Sequence, residues 1–207
     1  ISVPFQADGI FGGNLLAVKG QECIIFYDWE TGACVRRIDV VARGVYWSES
    51  DMVAITTDSE TYVLKFNRDA FNAALSKFGP QNIDADGIEE AIELIAQNDD
   101  SVKTGSWVGD CFIYTTEARR LNFMVGTHTS ALAYFDKVLY LLGYIAKDNR
   151  VYLVDKECKV YSYAPPQSLL DYQTAILRGD HIYAQSILPS IPEDHRNRVK
   201  RISFRSI

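Results

Sequence analysis

Ile24-Ile25-Phe26-Tyr27-Asp28-Trp29-Glu30-Thr31-Gly32-Ala33-Cys34-Val35-Arg36-Arg37-Ile38 is the stretch that decides the fold. An apolar strand runs into an aromatic–Asp–Trp step, turns through Thr-Gly, and leaves as a second strand. The chemistry of such a join is simple. The Asp28 carboxylate accepts turn amides, Gly32 takes the corner that needs a positive φ, and alternating apolar residues face the sheets on either side. The third and fourth strands of a propeller blade are joined in this way. Looser versions occur at Thr57-Asp58-Ser59-Glu60 and Asp148-Asn149-Arg150.

Outward from that hairpin, short apolar runs recur at roughly ten-residue spacing, each bounded by turn residues. Upstream lies Leu15–Val18. Downstream come Val45–Trp47, Met52–Thr56, Tyr62–Phe66, Ser106–Val108, Cys111–Thr115, Asn122–Val125, Ala131–Ala133, Val138–Ile145, Val151–Val154 and Val160–Tyr163. Many short strands in series predict a sandwich, barrel or propeller, and not a parallel α/β sheet.

A helical insertion is predicted over about residues 69–98. Phe71, Leu75 and Phe78 fall at helical spacing ahead of Gly79-Pro80, and Ile88, Ile92 and Ile95 repeat the pattern over Gly87–Gln97, with Asp84 or Asp86 as its cap. From Arg68 to Asp100 the chain is acidic, with Asp69, Asp84, Asp86, Glu89, Glu90, Glu93, Asp99 and Asp100 set against Arg68 and Lys77. After Pro165-Pro166 the pattern turns helical again. Ser168–Arg178 carries Leu169, Tyr172, Ala175 and Ile176 on one face, His181–Leu188 reads as its antiparallel partner, and a third, basic helix is expected from Glu193. Two short amphipathic helices and the start of a third predict the opening of an α-solenoid.

Composition narrows the function. With 47% hydrophobic and 12% aromatic residues among 207, the chain can bury a core and is not disordered. Its formal net charge of −6 repels a phosphate backbone, so nucleic acid is not an expected partner. No apolar run reaches the eighteen or so residues of a membrane span. The opening Ile1-Ser2-Val3-Pro4 has neither a basic nor an apolar signal region and no initiator Met, so a longer parent chain without a secretory signal here is expected. Cys23, Cys34, Cys111 and Cys158 show no zinc-ligand spacing. A Cys23–Cys34 disulfide stays open if their strands are neighbours, but free thiols in a reducing compartment are the expectation.

No motif assigns a catalytic, cofactor or metal residue. Asn82-Ile83-Asp84-Ala85-Asp86-Gly87 through Glu93 places oxygens, a glycine and a closing Glu as a calcium loop does, yet opens on Asn and puts Glu89 where an aliphatic belongs. A capped helix with first-turn acids is the favoured reading. Gly9-Ile10-Phe11-Gly12-Gly13 follows no strand and opens no helix, which argues against a phosphate cradle. No serine lies in Gly-x-Ser-x-Gly, and His128, His181 and His195 fall on a strand end and two helical segments, where surface or half-buried imidazoles are expected. Tyr140, Tyr144, Tyr152, Tyr161 and Tyr163 alternate as packing residues and lack the basic neighbours of a base-stacking platform.

Longer blocks carry a resemblance. Phe26-Tyr27-Asp28-Trp29-Glu30, Tyr46-Trp47-Ser48-Glu49-Ser50, Lys103-Thr104-Gly105-Ser106-Trp107-Val108-Gly109-Asp110-Cys111-Phe112-Ile113-Tyr114 and Gly143-Tyr144-Ile145-Ala146-Lys147-Asp148-Asn149-Arg150, followed in order by Tyr172-Gln173-Thr174-Ala175, resemble the coatomer beta-prime family. That resemblance implies a partial WD-repeat β-propeller with a helical insertion. Residues 1–165 would be the C-terminal blades of a second propeller, and 166–207 the start of an α-solenoid. It further implies a structural, non-enzymatic segment of a vesicle coat acting in Golgi-to-endoplasmic-reticulum retrograde and intra-Golgi transport. Partners would be other coatomer subunits, chiefly the alpha subunit, on the cytosolic side of Golgi membranes and coated vesicles, with membrane association through the coat only. The family's dilysine cargo pocket lies on a first propeller, so no cargo contact carries over. Seven blades need about three hundred residues, so three or four are expected here. An open arc of this kind is expected to self-associate unless neighbours cover its ends. A free-standing peptide-binding module, adding a strand at an exposed edge, is the alternative.

Overall fold

The structure, a computed structural model, describes Val3 and residues 5–196. It is mainly β. Four antiparallel sheets follow one another along the chain, each a meander of consecutive strands. The first blade comprises β1 (Gly9–Phe11), β2 (Leu16–Lys19), β3 (Ile24–Tyr27) and β4 (Cys34–Ile38). The second comprises β5 (Gly44–Trp47), β6 (Met52–Thr56), β7 (Thr61–Phe66) and β8 (Ile92–Asn98). The third comprises β9 (Val102–Val108), β10 (Cys111–Thr116), β11 (Arg120–Val125) and β12 (His128–Tyr134). The fourth has three strands, β13 (Tyr140–Ile145), β14 (Arg150–Val154) and β15 (Val160–Tyr163). The leading strands β5, β9 and β13 lie beside one another, so the sheets fan out from a shared inner edge.

The middle strands show why the sequence chooses this arrangement. In β6, Val53 and Ile55 pack toward the first blade, whereas Met52 and Ala54 pack toward the third. In β10, Phe112 and Tyr114 face the second blade, and Cys111 and Ile113 face the fourth. Successive residues thus enter two different cores, and all five residues of β6 and all six of β10 are buried. A strand covered on both faces reads as an unbroken apolar run, because neither face needs a polar residue. Fully burying each Val, Ile or Phe there contributes about 1.5–3 kcal/mol.

Two expectations are corrected. The insertion begins as expected with α1 (Arg68–Phe78), whose N-cap Asn67 accepts the Ala70 amide and whose Phe71 is buried. The second helix over Gly87–Gln97 does not form. After a short 3-10 turn, Ile92–Asn98 becomes β8, paired with β7 from Phe66↔Ile92 to Thr61↔Asn98. Ile92 enters the core between the first and second blades, and Ala96 the core between the second and third. Tertiary pairing therefore overrides a helical period carried by three isoleucines. The second correction is β1, which converts the glycine-rich opening into a strand paired Gly9↔Lys19 through Phe11↔Ala17.

Past Tyr163 the chain turns helical, as α2 (Gln167–Leu177) and α3 (His181–Ile187), which pack together. Leu169, Leu170, Tyr172, Ala175 and Ala184 join the core between the third and fourth blades. Residues 193–196 are helical, and the rest of the expected third helix lies outside the described residues.

Candidate interaction surface

Of the three joins read from the sequence, the one at Asp28 links β3 to β4 as expected, whereas Thr57–Glu60 links β6 to β7 and Asp148–Arg150 links β13 to β14. Thr31 donates its amide (2.8 Å) and hydroxyl (2.7 Å) to Asp28 Oδ2, and Gly32 sits at φ 68°. Trp29 is half exposed and donates Nε1–H to the Gly13 carbonyl at 2.9 Å, tying this turn to the β1–β2 turn. At the second join Thr57, and not Asp58, closes the turn by accepting the Glu60 amide (3.0 Å), while Asp58 pairs with Arg43 (2.6 Å). At the third, Asn149 adopts φ 47° and donates to the Pro165 carbonyl at 3.3 Å.

A fourth join escaped the sequence reading. Asp155 Oδ1 accepts the Glu157 (3.0 Å) and Lys159 (2.9 Å) amides, and Oδ2 accepts Lys137 Nζ (2.8 Å) and the Tyr161 hydroxyl (3.0 Å). The Lys137 ammonium, before any other contact, holds this carboxyl well below the usual range. The signal was present, since Val154-Asp155 ahead of a turn repeats Tyr27-Asp28.

The loop that resembles a calcium site is instead a strap between blades. Asp84 Oδ1 accepts the amides of Asp86 (3.1 Å) and Gly87 (3.0 Å), and Asn82 donates to the Phe78 carbonyl at 2.7 Å. The segment then pairs with the outer edge of β4. The Arg37 amide donates to the Asp86 carbonyl (3.0 Å) and the Ile88 amide to the Val35 carbonyl (2.8 Å), around an Arg36↔Gly87 bridge. An insertion belonging to the second blade thus covers the exposed edge of the first, one way of blunting an edge strand. Among the described residues no cluster of His, Cys, Asp or Glu is arranged to hold a metal ion.

A buried polar group sits between the second and third blades. Asp100 Oδ2 accepts the Tyr114 hydroxyl (2.5 Å) and Asn122 Nδ2 (3.0 Å), and Asn98 donates to the Tyr114 oxygen at 3.1 Å. Burial, with Asp100 second, pushes the Tyr114 phenol up, so the group stays a hydrogen-bond donor. The helices are fastened by another acid. Asp110, in the β9–β10 turn, accepts Ser50 from the second blade at 2.8 Å and Arg178 from the end of α2.

The other residues singled out in the sequence take structural places. All four cysteines are free. Cys34 donates to the Ala85 carbonyl of the strap, and burial, then Asp84 and Asp86, hold its thiol up at about 11. His128 opens β12 edge-on to Phe123, and burial lowers its pKa. His181 opens α3. Tyr144, Tyr161 and Tyr163 pack against the core between the last two blades. What the molecule offers is surface. Leu142 and Val160 on the fourth blade and Ile182 on α3 are exposed, whereas Val18, Ile25 and Tyr27 on the first blade are buried, with Phe5 packed against them.

Comparison with known proteins bears on what those surfaces are for. Residues 1–155 match the family model described as the COPA/B second beta-propeller. The chain is 46% identical over 196 residues to coatomer subunit beta'-1 of Arabidopsis thaliana, and 43% identical over 196 residues to coatomer subunit beta' of Rattus norvegicus. Each alignment covers 94% of this chain and 21% of the relative, so the chain spans about a fifth of the length of the curated relatives it matches. Among solved structures it resembles the Cps50 (Swd1) beta-propeller domain of Myceliophteria thermophila, with TM-score 0.54 and 11% identity, over 76% of this chain and 53% of that one. It also resembles the computationally designed Ika4 protein, with TM-score 0.52 and 11% identity, over 79% and 94%. At such identities these two likenesses concern the fold alone.

Proposed function

The chain belongs to the coatomer family of the COPA/B second beta-propeller, and from that premise we propose that it is a scaffold segment of a vesicle coat, acting through protein–protein contacts. In this reading residues 1–165 are the later blades of the propeller and 166–207 begin an α-solenoid. The coat works on the cytosolic face of Golgi membranes, in retrograde and intra-Golgi transport. The chain meets the membrane only through the coat, and no helix among its described residues is long and apolar enough to cross one. The alpha subunit is the partner proposed first. No catalytic role is proposed.

The observation that supports this reading is the welding of helices to sheets. Leu169, Leu170 and Tyr172 of α2 share one core with Ile113 and Phe123 of the third blade and Leu153 of the fourth. A helical arm rooted so deeply transmits orientation from one body to the next, as a scaffold requires. The test is co-elution of the chain with purified coatomer subunits, the alpha subunit first. A stable complex is expected. Failure to associate with any subunit, together with micromolar binding of dilysine peptides by the chain alone, would overturn it. Among the described residues the fourth sheet has three strands and ends on β15, where the other three sheets have four, and that edge favours the second reading of an edge-binding peptide module.

A further inference from the structure

We propose that the groove between α1 and the strap is a docking site for a short basic segment of a neighbouring protein, one apolar side chain of which enters the groove. The inference rests on the assembly reading and names a surface and a partner chemistry for it. The groove, about 310 Å³, is lined by Ala74, Phe78, Ile83 and Ile88 together with the acidic Glu89 and Glu90. Phe78 ends α1 half exposed, an unusual place for a large aromatic ring on a helix whose inner face is served by Phe71. That ring already carries a cation, because Lys77 Nζ stands 4.9 Å from its centroid. An ammonium over an aromatic face gains about 0.5–1 kcal/mol at an exposed site.

Charge selects the partner. Glu89 and Glu90 are exposed and form no ion pair among the described residues, and Asp84 and Asp86 lie beside them on the strap. Acidic side chains lining the groove disfavour a nucleic acid or an anionic bilayer, and favour lysines and arginines. The groove is also fixed before binding. Its strap is held at one end by the Val35 and Arg37 pairing, and at the other by the Asn67 amide on the Ala91 carbonyl at 2.8 Å. A preformed site loses little entropy on docking.

The test is fluorescence anisotropy with a labelled nonapeptide of lysines and arginines around one central phenylalanine, and with the same peptide carrying central alanine. Saturable binding of the first is expected, weaker by about fivefold for the second and about tenfold weaker for the Glu89→Lys/Glu90→Lys variant. Phe78→Ala should lose about fivefold, matching the alanine peptide. Circular dichroism melting checks that each variant folds, and the two-peptide comparison on the unaltered chain stands if one does not. Equal binding of both peptides, unaltered affinity after charge reversal, or no binding would each overturn the proposal. So would self-association in sedimentation that charge reversal abolishes, because the groove would then belong to a second copy. A chain that binds neither peptide yet still joins coatomer subunits sinks the groove alone. One that binds the peptide but joins no subunit sinks the scaffold reading alone.

Discussion

Arg178, the C-cap of α2, places both Nε (2.9 Å) and Nη2 (2.6 Å) on one oxygen of Asp110 in the β9–β10 turn. The other oxygen of Asp110 takes the Ser50 hydroxyl, so one nearly buried carboxylate ties the second blade, the third blade and the helices together. The two sides of the pair are unequal. The Arg178 side chain is 65% exposed, whereas that of Asp110 is 11% exposed.

Removing the arginine should therefore cost more than neutralising the acid. Arg178→Ala leaves a charge buried with a single hydroxyl donor, and should destabilise by about 1–3 kcal/mol. Asp110→Asn keeps the Ser50 contact and buries no charge, and should cost about 1 kcal/mol or less. Urea unfolding of both variants reads the difference. Limited proteolysis at Ala164–Pro166 should accelerate in Arg178→Ala first. The reverse order of stability would show that the pair is a surface contact of little weight.

Gly87 is required twice over. Its φ is 78°, and a Cβ there would lie 2.5 Å from the Val35 oxygen, 2.6 Å from the Val35 carbonyl carbon and 2.8 Å from the Arg36 Cα. These are backbone atoms of β4 and cannot swing aside. Gly87→Ala should cost more than about 2 kcal/mol, or release the strap. Hydrogen exchange separates the two results, since a released strap exposes the Arg37 and Ile88 amides while the rest of the first blade stays protected. Unchanged stability together with unchanged protection would mean that the strap does not grip β4.

The strap also shows where sequence reading stops. Middle strands such as Met52–Thr56 were legible because burial on both faces leaves an unbroken apolar run. The Asp28 turn was legible because its cap, corner and flanking strands lie within a few residues. What fixes Ile92–Asn98 as a strand is β7, across the whole of α1, and a local helical period cannot report a partner that far along the chain. The same distance hid the strap, since Gly87 has the place of a calcium-loop glycine but meets Val35. The Asp110–Arg178 tie spans 68 positions and carried no local signal at all. Surfaces suffer most, because an open blade face and a buried one use the same residues.

Tyr114 tests whether the polar group between the blades is structural. Its ring is fully buried beside Phe112, and its hydroxyl spans Asp100 and Asn98. Tyr114→Phe preserves the packing and removes one donor from Asp100, which keeps Asn122. The expected loss is about 1–2 kcal/mol, with little change in the slope of urea unfolding. A neutral result would mean that Asn122 alone satisfies the carboxylate.

Asp155 predicts a pH dependence with a definite sign. Its folded carboxyl is held below the ordinary range, first by Lys137 and then by the Lys159 amide, the Tyr161 hydroxyl and the Glu157 amide. The native state therefore binds this proton less readily than the unfolded chain. Asp155 contributes its full stabilisation above the unfolded carboxylate pKa of about 3.9, and loses it as pH falls below that toward the depressed native value. Asp155→Asn should remove that component. Melting temperatures of the parent and the variant should differ at pH 7 and converge as pH falls below about 4. Lys137→Met should show the same convergence, because it strips away the contact that depresses the acid most. Parallel melting curves across the whole acid range would show that folding does not favour the ionised form of Asp155.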